Sequence, residues 1–382
     1  MNMYNEVRSQ LRLSIAWLTL FLVGTDLFVV SPLLPNMIRE FNISAQQASW
    51  IVTSFAVMYA VMAPLFGVLA DRWGKKKNIV IGLILFSFAN GLTFIASSYF
   101  VLVLSRVWAG GAAAMITSSV FALTGDLAPK NKNGLYLSIA TSGFLTAIWV
   151  GAPLGNLIGN ITNWRTVFII LAIGTLALSA LNSFVLPEYT HSQSHRSPDF
   201  EKFKGMIRDV LVTTFWALAV YGVYTFLGEI FKSVTGLSSL MTSVAFTFYG
   251  MGALIGSVSG GWFSDHLGND RVIKIGITGL AILLVVVGLT VTHPLILFPS
   301  LMLWAFSGYL FFSAYQSFIS KRNATFSGSI MAWNQTAMYV GITIGSWLGG
   351  GLIAHHLILL LFVSCAASAL IGLIWYRFKV VS

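Results

Sequence analysis

Three ionisable side chains fall where water is scarce. Asp26, Arg106 and Glu229 lie inside or at the edge of long apolar runs, in a 382-residue chain of which only 9% is charged. A charge held at the centre of a bilayer costs at least ~2.5–3.5 kcal/mol on insertion scales, so position alone makes each a functional candidate. The chemistry open to such groups is the binding and release of a proton. A carboxyl desolvated in a cavity holds its proton more tightly, and a nearby cation loosens that hold. Asp26 lies about 13 residues into the first apolar run, or ~20 Å at 1.5 Å per residue. Arg106 lies about 7 residues into the fourth run, ~10 Å from the opposite face of a ~30 Å core, which is about the same depth. Glu229 closes its run beside Lys232, where a solvated interfacial glutamate is the ordinary expectation. Tyr59, Asn334 and Gln335 are polar positions within apolar runs, suited to lining a cavity or to bonding one helix to another.

The elements that must position these groups are membrane helices. With 57% hydrophobic and 14% aromatic residues the chain is far too apolar for a soluble surface. A helix crossing the hydrocarbon needs about 20 mostly apolar residues. Polar or Gly/Pro punctuation divides the chain into twelve such runs. These are roughly 13–34, 48–70, 77–97, 99–123, 134–157 and 165–187, then 209–230, 239–263, 272–291, 295–318, 326–350 and 354–376. The first run is too long for a cleaved leader and lacks a small-residue cleavage site, so it is expected to be a membrane helix. Twelve crossings put both termini on one side. All of the 22 Lys and Arg except Arg39, Arg106, Arg165 and Lys232 then fall on that side. The positive-inside rule makes the loaded face cytoplasmic, and this placement also accounts for the net charge of +10 without a nucleic-acid partner.

The chain also repeats itself. Residues 188–208, "EYTHSQSHRSPDFEKFKGMIR", form the longest polar stretch and follow the sixth run, as a cytoplasmic linker between halves 1–187 and 209–382 would. A shift of 194 residues lays Gly67, Asp71, Gly74 and Lys77 on Gly261, Asp265, Gly268 and Arg271, and Gly151 and Gly155 on Gly345 and Gly349. Such repeats are typical of secondary transporters, whose substrate site lies between the repeats near the bilayer midplane. Other chemistries lack support. Cys365 is the only cysteine, the histidines have no partners at ligand spacing, and there is no phosphate-binding loop for direct ATP driving.

"GVLADRWGKKK", residues 67–77, places five charges between two apolar runs. An acid at a helix C-terminus opposes the helix dipole, so Asp71 needs a partner. Gly74 allows a tight turn, and Gly67 is expected to allow close helix approach. This stretch resembles the loop 2–3 signature of the major facilitator superfamily, and "GGWFSDHLGNDR", 260–271, resembles its degraded second copy. "SRVWAGGAAA", 105–114, is similar to the span-four Arg-x-x-x-Gly of proton-coupled members. "GFLTAIWVGAPLGNLIG", 143–159, resembles the span-five motif of the drug/proton antiporter branch through Gly143, Gly151, Pro153 and Gly155, with Asn156 where a second glycine is usual. "TDLFVVSPLLPNM", 25–37, and "NWRTVF", 163–168, resemble that branch's span one and its entry to span six.

The resemblance implies an all-α membrane protein of twelve transmembrane helices in two pseudo-symmetric six-helix halves, working by a rocker switch. It implies a conformational latch of Gly67, Asp71, Arg72, Gly74, Lys75 and Asp126, and a span-five segment that marks exporters. In the family spans one and four both line the first half's cavity. Asp26 and Arg106 are thus expected to meet, with proton and substrate competing for Asp26; a static pair pinning two helices is the rival. The expected function is proton-coupled efflux of small amphipathic molecules by a monomer in a bacterial plasma membrane, both termini cytoplasmic. Its partners are a small-molecule substrate, protons and the lipid bilayer, and the proton gradient replaces any cofactor or metal. A dedicated exporter of a sugar, purine or metallophore is the alternative, with a polytopic membrane enzyme or a channel further off.

Overall fold

The computed structural model describes residues 3–128, 133–187, 200–323 and 327–381. The first six helices are α1 (Met3–Phe41), α2 (Ala45–Trp73), α3 (Lys75–Ile95), α4 (Tyr99–Leu127), α5 and α6 (Trp164–Val185). Helix α5 runs Asn133–Thr146, passes through a π-helical turn at Ala147–Gly151 and continues over Ala152–Ile161. The last six are α7, α8 (Ser239–Leu267), α9 (Asn269–Thr290), α10 (Pro294–Arg322), α11 (Ser327–Ala354) and α12 (Ile358–Trp375). Helix α7 comprises Phe200–Tyr224, Leu227–Ile230 and a π-helical turn at Phe231–Thr235. Among the described residues twelve helices are long and apolar enough to cross a membrane, one for each expected run. Residues 188–199 of the expected linker lie outside the described residues. The remainder, 200–208, is helical and opens α7.

The face that carries the chain termini is called here the terminal face, and the other the far face. Serines start two corresponding helices at the far face. Ser44 caps α2 in a reciprocal box with Gln47, and Ser238, 194 residues on, caps α8 by accepting from the Met241 N–H. At the terminal face Gly74 and Gly268, also 194 apart, turn α2 into α3 and α8 into α9 at φ +92° and +82°. Those dihedrals are open to glycine and strained for other residues.

Packing repeats as well. In the first half α2 and α3 pack on α4, α3 on α6, and α1 on α5 and α6. In the second, α8 and α9 pack on α10, α9 on α12, and α7 on α11 and α12. Small residues set the closest approaches. A methyl on Gly143, Gly151 or Gly155 would collide with Trp17, Thr25 or Val29 of α1. The second copy does the same, with Gly341, Gly345 and Gly349 of α11 against the α7 backbone at Thr214, Leu218 and Gly222. Pro153 supplies no backbone N–H and its ring crowds the carbonyl four residues back. The π-helical turn just before it relieves that crowding, as such bulges do in kinked helices.

Two crossed contacts hold the halves together, α2 against α11 and α5 against α8, and α1 also meets α7 across the seam. On α2 the stripe facing α11 runs through Ser49, Thr53, Ala60, Ala63 and Gly67 at helical spacing. Gly350 closes on Ser49, and the Thr53 and Ser346 hydroxyls bond at 3.2 Å. On α8 the stripe facing α5 runs from Ser243 through Gly250 to Gly261, with the Trp149 backbone against Gly250. Both stripes are tight toward the far face and end open. Neither Gly67 nor Gly261 has anything within 4 Å of where a side chain would stand. The expected close approach at Gly67 is therefore absent among the described residues in this conformation.

Candidate functional site

Helices α1 and α4 bring Asp26 and Arg106 together in a bidentate ion pair. Arg106 Nη1 and Nη2 donate to the two carboxylate oxygens at 2.8 and 2.7 Å. The side chains are 0% and 1% exposed. The guanidinium lies 5.0 Å from the Phe55 ring of α2 and 5.8 Å from the Phe168 ring of α6, within cation–π range of both. Local sequence explains the fit. The run Ala109-Gly110-Gly111-Ala112-Ala113-Ala114 gives α4 a small-residue, fully buried face. A methyl on Gly110 would strike the Phe55 backbone, so the glycine is what lets α2 carry Phe55 up against Arg106. Only Arg106 Nε lacks a hydrogen-bond partner.

A tyrosine stack carries this environment across the seam. Tyr59 of α2 bonds the Thr117 hydroxyl at 2.5 Å and stacks on Tyr339 of α11, ring centroids 3.5 Å apart and 19° from parallel. Tyr339 lies within electrostatic reach of Asp26. Asn334 is buried on α11, where its Oδ1 accepts from Thr213 of α7 at 2.5 Å while its Nδ2 has no partner. Gln335 is half-buried with an unpartnered Oε1. Glu229 sits apart, half-buried at the far-face end of α7 near Lys232 and Arg39.

Above the stack toward the far face, hydroxyls and amides seal the halves. The Ser31 hydroxyl donates to the Tyr224 carbonyl at 2.5 Å. Asn156 Nδ2 donates to the Ser239 carbonyl at 3.0 Å and to the Ser243 hydroxyl at 2.8 Å. Asn156 thus occupies a glycine position of the span-five pattern with a side chain that bridges the halves. These hydrogen bonds join uncharged groups. Behind the seal a void of about 10 Å³, room for one water, is lined by Phe28, Ser31, Tyr221 and Tyr224.

The expected latch is divided. The side chains of Asp71 and Arg72 lie outside the described residues. Lys75 at the start of α3 pairs with Asp126 at the end of α4, so this ion pair closes within the first half. Gly74 makes the tight turn, and Gly143, Gly151, Pro153 and Gly155 pack and bend α5 as described. Sequence reasoning did not single out Phe55, Phe168 or Tyr339. One aromatic among 29 Phe and 12 Tyr carries no signal until the register of two helices is known. No group of three or more His, Cys, Asp or Glu able to hold a metal occurs among the described residues.

A sequence model of the Major Facilitator Superfamily matches residues 16–325 and 219–381. The chain belongs to that superfamily. Similar superfamily members in Bacillus subtilis (strain 168) are the uncharacterized MFS-type transporters YbcL, 26% identical over 86% of this chain and 85% of its own, and YceJ, 27% identical over 87% and 86%. Among solved superfamily folds, the D-xylose-proton symporter matches with TM-score 0.80 and 18% identity, covering 96% of this chain and 97% of that one. A bacterial homolog of the human lysosomal transporter Spinster, inward-facing and unoccupied, matches with TM-score 0.76 and 16% identity over 97% and 96%. The protein is accordingly a multi-pass membrane transporter of this superfamily and not an enzyme.

Proposed function

We propose that the protein is a proton-coupled antiporter that exports small amphipathic molecules by alternating access, with Asp26 and Arg106 at the coupling site. The observation that carries this reading is the bidentate pair, dry on every side and set against the seam between the halves. Protonating Asp26 removes the counter-ion of Arg106. Breaking one partner of a buried pair costs ~3–5 kcal/mol, enough to favour a rearrangement that brings water or substrate to the site. Tyr339, stacked on Tyr59 and near Asp26, would pass that rearrangement to α11.

The weight of Lys and Arg on the terminal face supports a cytoplasmic assignment for it and for both termini. On that assignment the far-face seal is external and this conformation faces inward. The largely apolar and aromatic surroundings of the seam suit an amphipathic substrate held by few polar anchors.

The test is substrate-induced proton release from detergent-purified protein, screened over lipophilic cations, neutral drugs, sugars and purines, with Asp26→Asn alongside. Release by an amphipathic drug that disappears in Asp26→Asn is the expected result. Release that persists in the mutant removes Asp26 from the coupling step. Silence to every drug with a response to one sugar or purine replaces multidrug export with dedicated metabolite transport.

A further inference from the structure

Asp26 and Asp209 are the two carboxylates buried among the described residues, and their surroundings differ in kind. Both oxygens of Asp26 are taken by the Arg106 guanidinium. Asp209, two turns into α7 near the terminal face, has a side chain only 3% exposed, yet its Oδ1 accepts no hydrogen bond. Its Oδ2 accepts from Asn323 Nδ2 at 3.1 Å. The nearby cations stand off: Arg322 Nε of α10 is 3.5 Å from Oδ2, and Arg208 Nε is 4.0 Å from Oδ1. Tyr315 of α10 gives its hydroxyl proton to the Asp209 backbone carbonyl. Tyr376, just beyond α12, packs on Tyr315 and donates to Asp270 of α9, itself paired with Lys274.

We propose that Asp209 is a second proton-binding site, loaded from the terminal face through its unpartnered Oδ1. Two features distinguish it from Asp26. A proton taken from water onto Oδ1 displaces no hydrogen bond, because the Asn323 bond is made to Oδ2. Protonation also strands no buried cation: the Arg208 and Arg322 side chains are 42% and 35% exposed, so water can replace the lost counter-ion. Arg208 Nε, 4.0 Å from Oδ1, is itself buried, so a proton would enter past the exposed ends of these guanidiniums. Asp209 is joined to the moving seam by α7 itself, since Thr213, one turn on, holds Asn334 of α11.

The experiment is infrared difference spectroscopy of the full-length protein in lipid nanodiscs as pH is lowered, without substrate, reading the high-frequency carbonyl band of a desolvated carboxylic acid. The expected band is present in the wild type and in Asp26→Asn, and is lost when Asp209→Asn is added to Asp26→Asn. A band lost in Asp26→Asn and kept in Asp209→Asn overturns the proposal, as does a wild type with no band. Should Asp209→Asn fail to fold, dicyclohexylcarbodiimide labelling of the wild type replaces it, because that reagent adds to protonated buried carboxyls. An adduct on the Asp209 peptide that grows as pH falls is expected, and an adduct confined to the Asp26 peptide, or none, refutes the site. Neither readout needs substrate or a gradient, so failure here leaves the coupling role proposed for Asp26 standing.

Discussion

Replacing Asp26 and Arg106 singly and together separates a coupling pair from a mere pin between helices. Asp26→Leu leaves a guanidinium 1% exposed between Phe55 and Phe168 with no counter-ion. Arg106→Met leaves a carboxylate 0% exposed with neither of its two bonds. Each single change should cost ~3–5 kcal/mol, the usual penalty for breaking a buried pair by removing one partner. The double mutant removes both charges, fills the space with apolar atoms and should lie near the wild type, since such exchanges are often neutral or stabilising. The interaction energy, the double-mutant cost less the two single costs, is then at least ~6 kcal/mol in magnitude, over ten-thousandfold in the unfolding constant. Equilibrium unfolding in mixed detergent micelles measures it, with proton release assayed on the same preparations. A double mutant no more stable than either single would refute the energetic account of the pair. A stable double mutant that still exchanges protons for substrate would refute coupling and leave the pair a structural pin.

Gly67→Ala should keep or slightly raise stability, by up to ~1 kcal/mol of helix propensity, because nothing stands within 4 Å of the added methyl. If the terminal face must close during the cycle, the same change should slow transport in vesicle flux assays. Ser243→Ala removes the hydroxyl that ties Asn156 to the Pro153 carbonyl at the far-face seal. A net loss of ~1 kcal/mol should raise thiol labelling of single-cysteine reporters on that face about fivefold, and unchanged labelling would exclude these bonds from the seal. Gly74→Ala and Gly268→Ala should each cost ~1–3 kcal/mol in the same unfolding titration, since both glycines hold positive φ.

Much of the architecture was legible because the bilayer imposes a length. Twelve apolar runs correspond to twelve helices, and the glycines of α5 that recur at Gly345 and Gly349 proved to serve the same packing role in both halves. Asp26 and Arg106 stood out because charge is rare and costly in such runs, and helical rise was enough to set them at one depth. What stayed hidden depends on register between distant helices. Tyr339 is one tyrosine among several until α2 and α11 are docked, and Asp209 reads as the polar start of the seventh run until α10 returns Arg322 and Asn323 beside it. Gly67 shows the converse. Its residue type signals close contact, but which contacts are made depends on the conformational state, which spacing does not encode.

The crossed seam has a consequence for symmetry. Helix α2 meets α11, the counterpart of α5, while α5 meets α8, the counterpart of α2. Each half therefore presents to the other the same two-sided surface that it receives, the arrangement of a two-fold, self-complementary interface. A six-helix chain with this surface would be able to pair with a copy of itself and already possess both sides of a transport pathway. Joining two copies end to end frees them to diverge, and the buried ion pair of α1 and α4 marks one such divergence: the positions 194 residues on are Val220 and Ser300, which carry no charge.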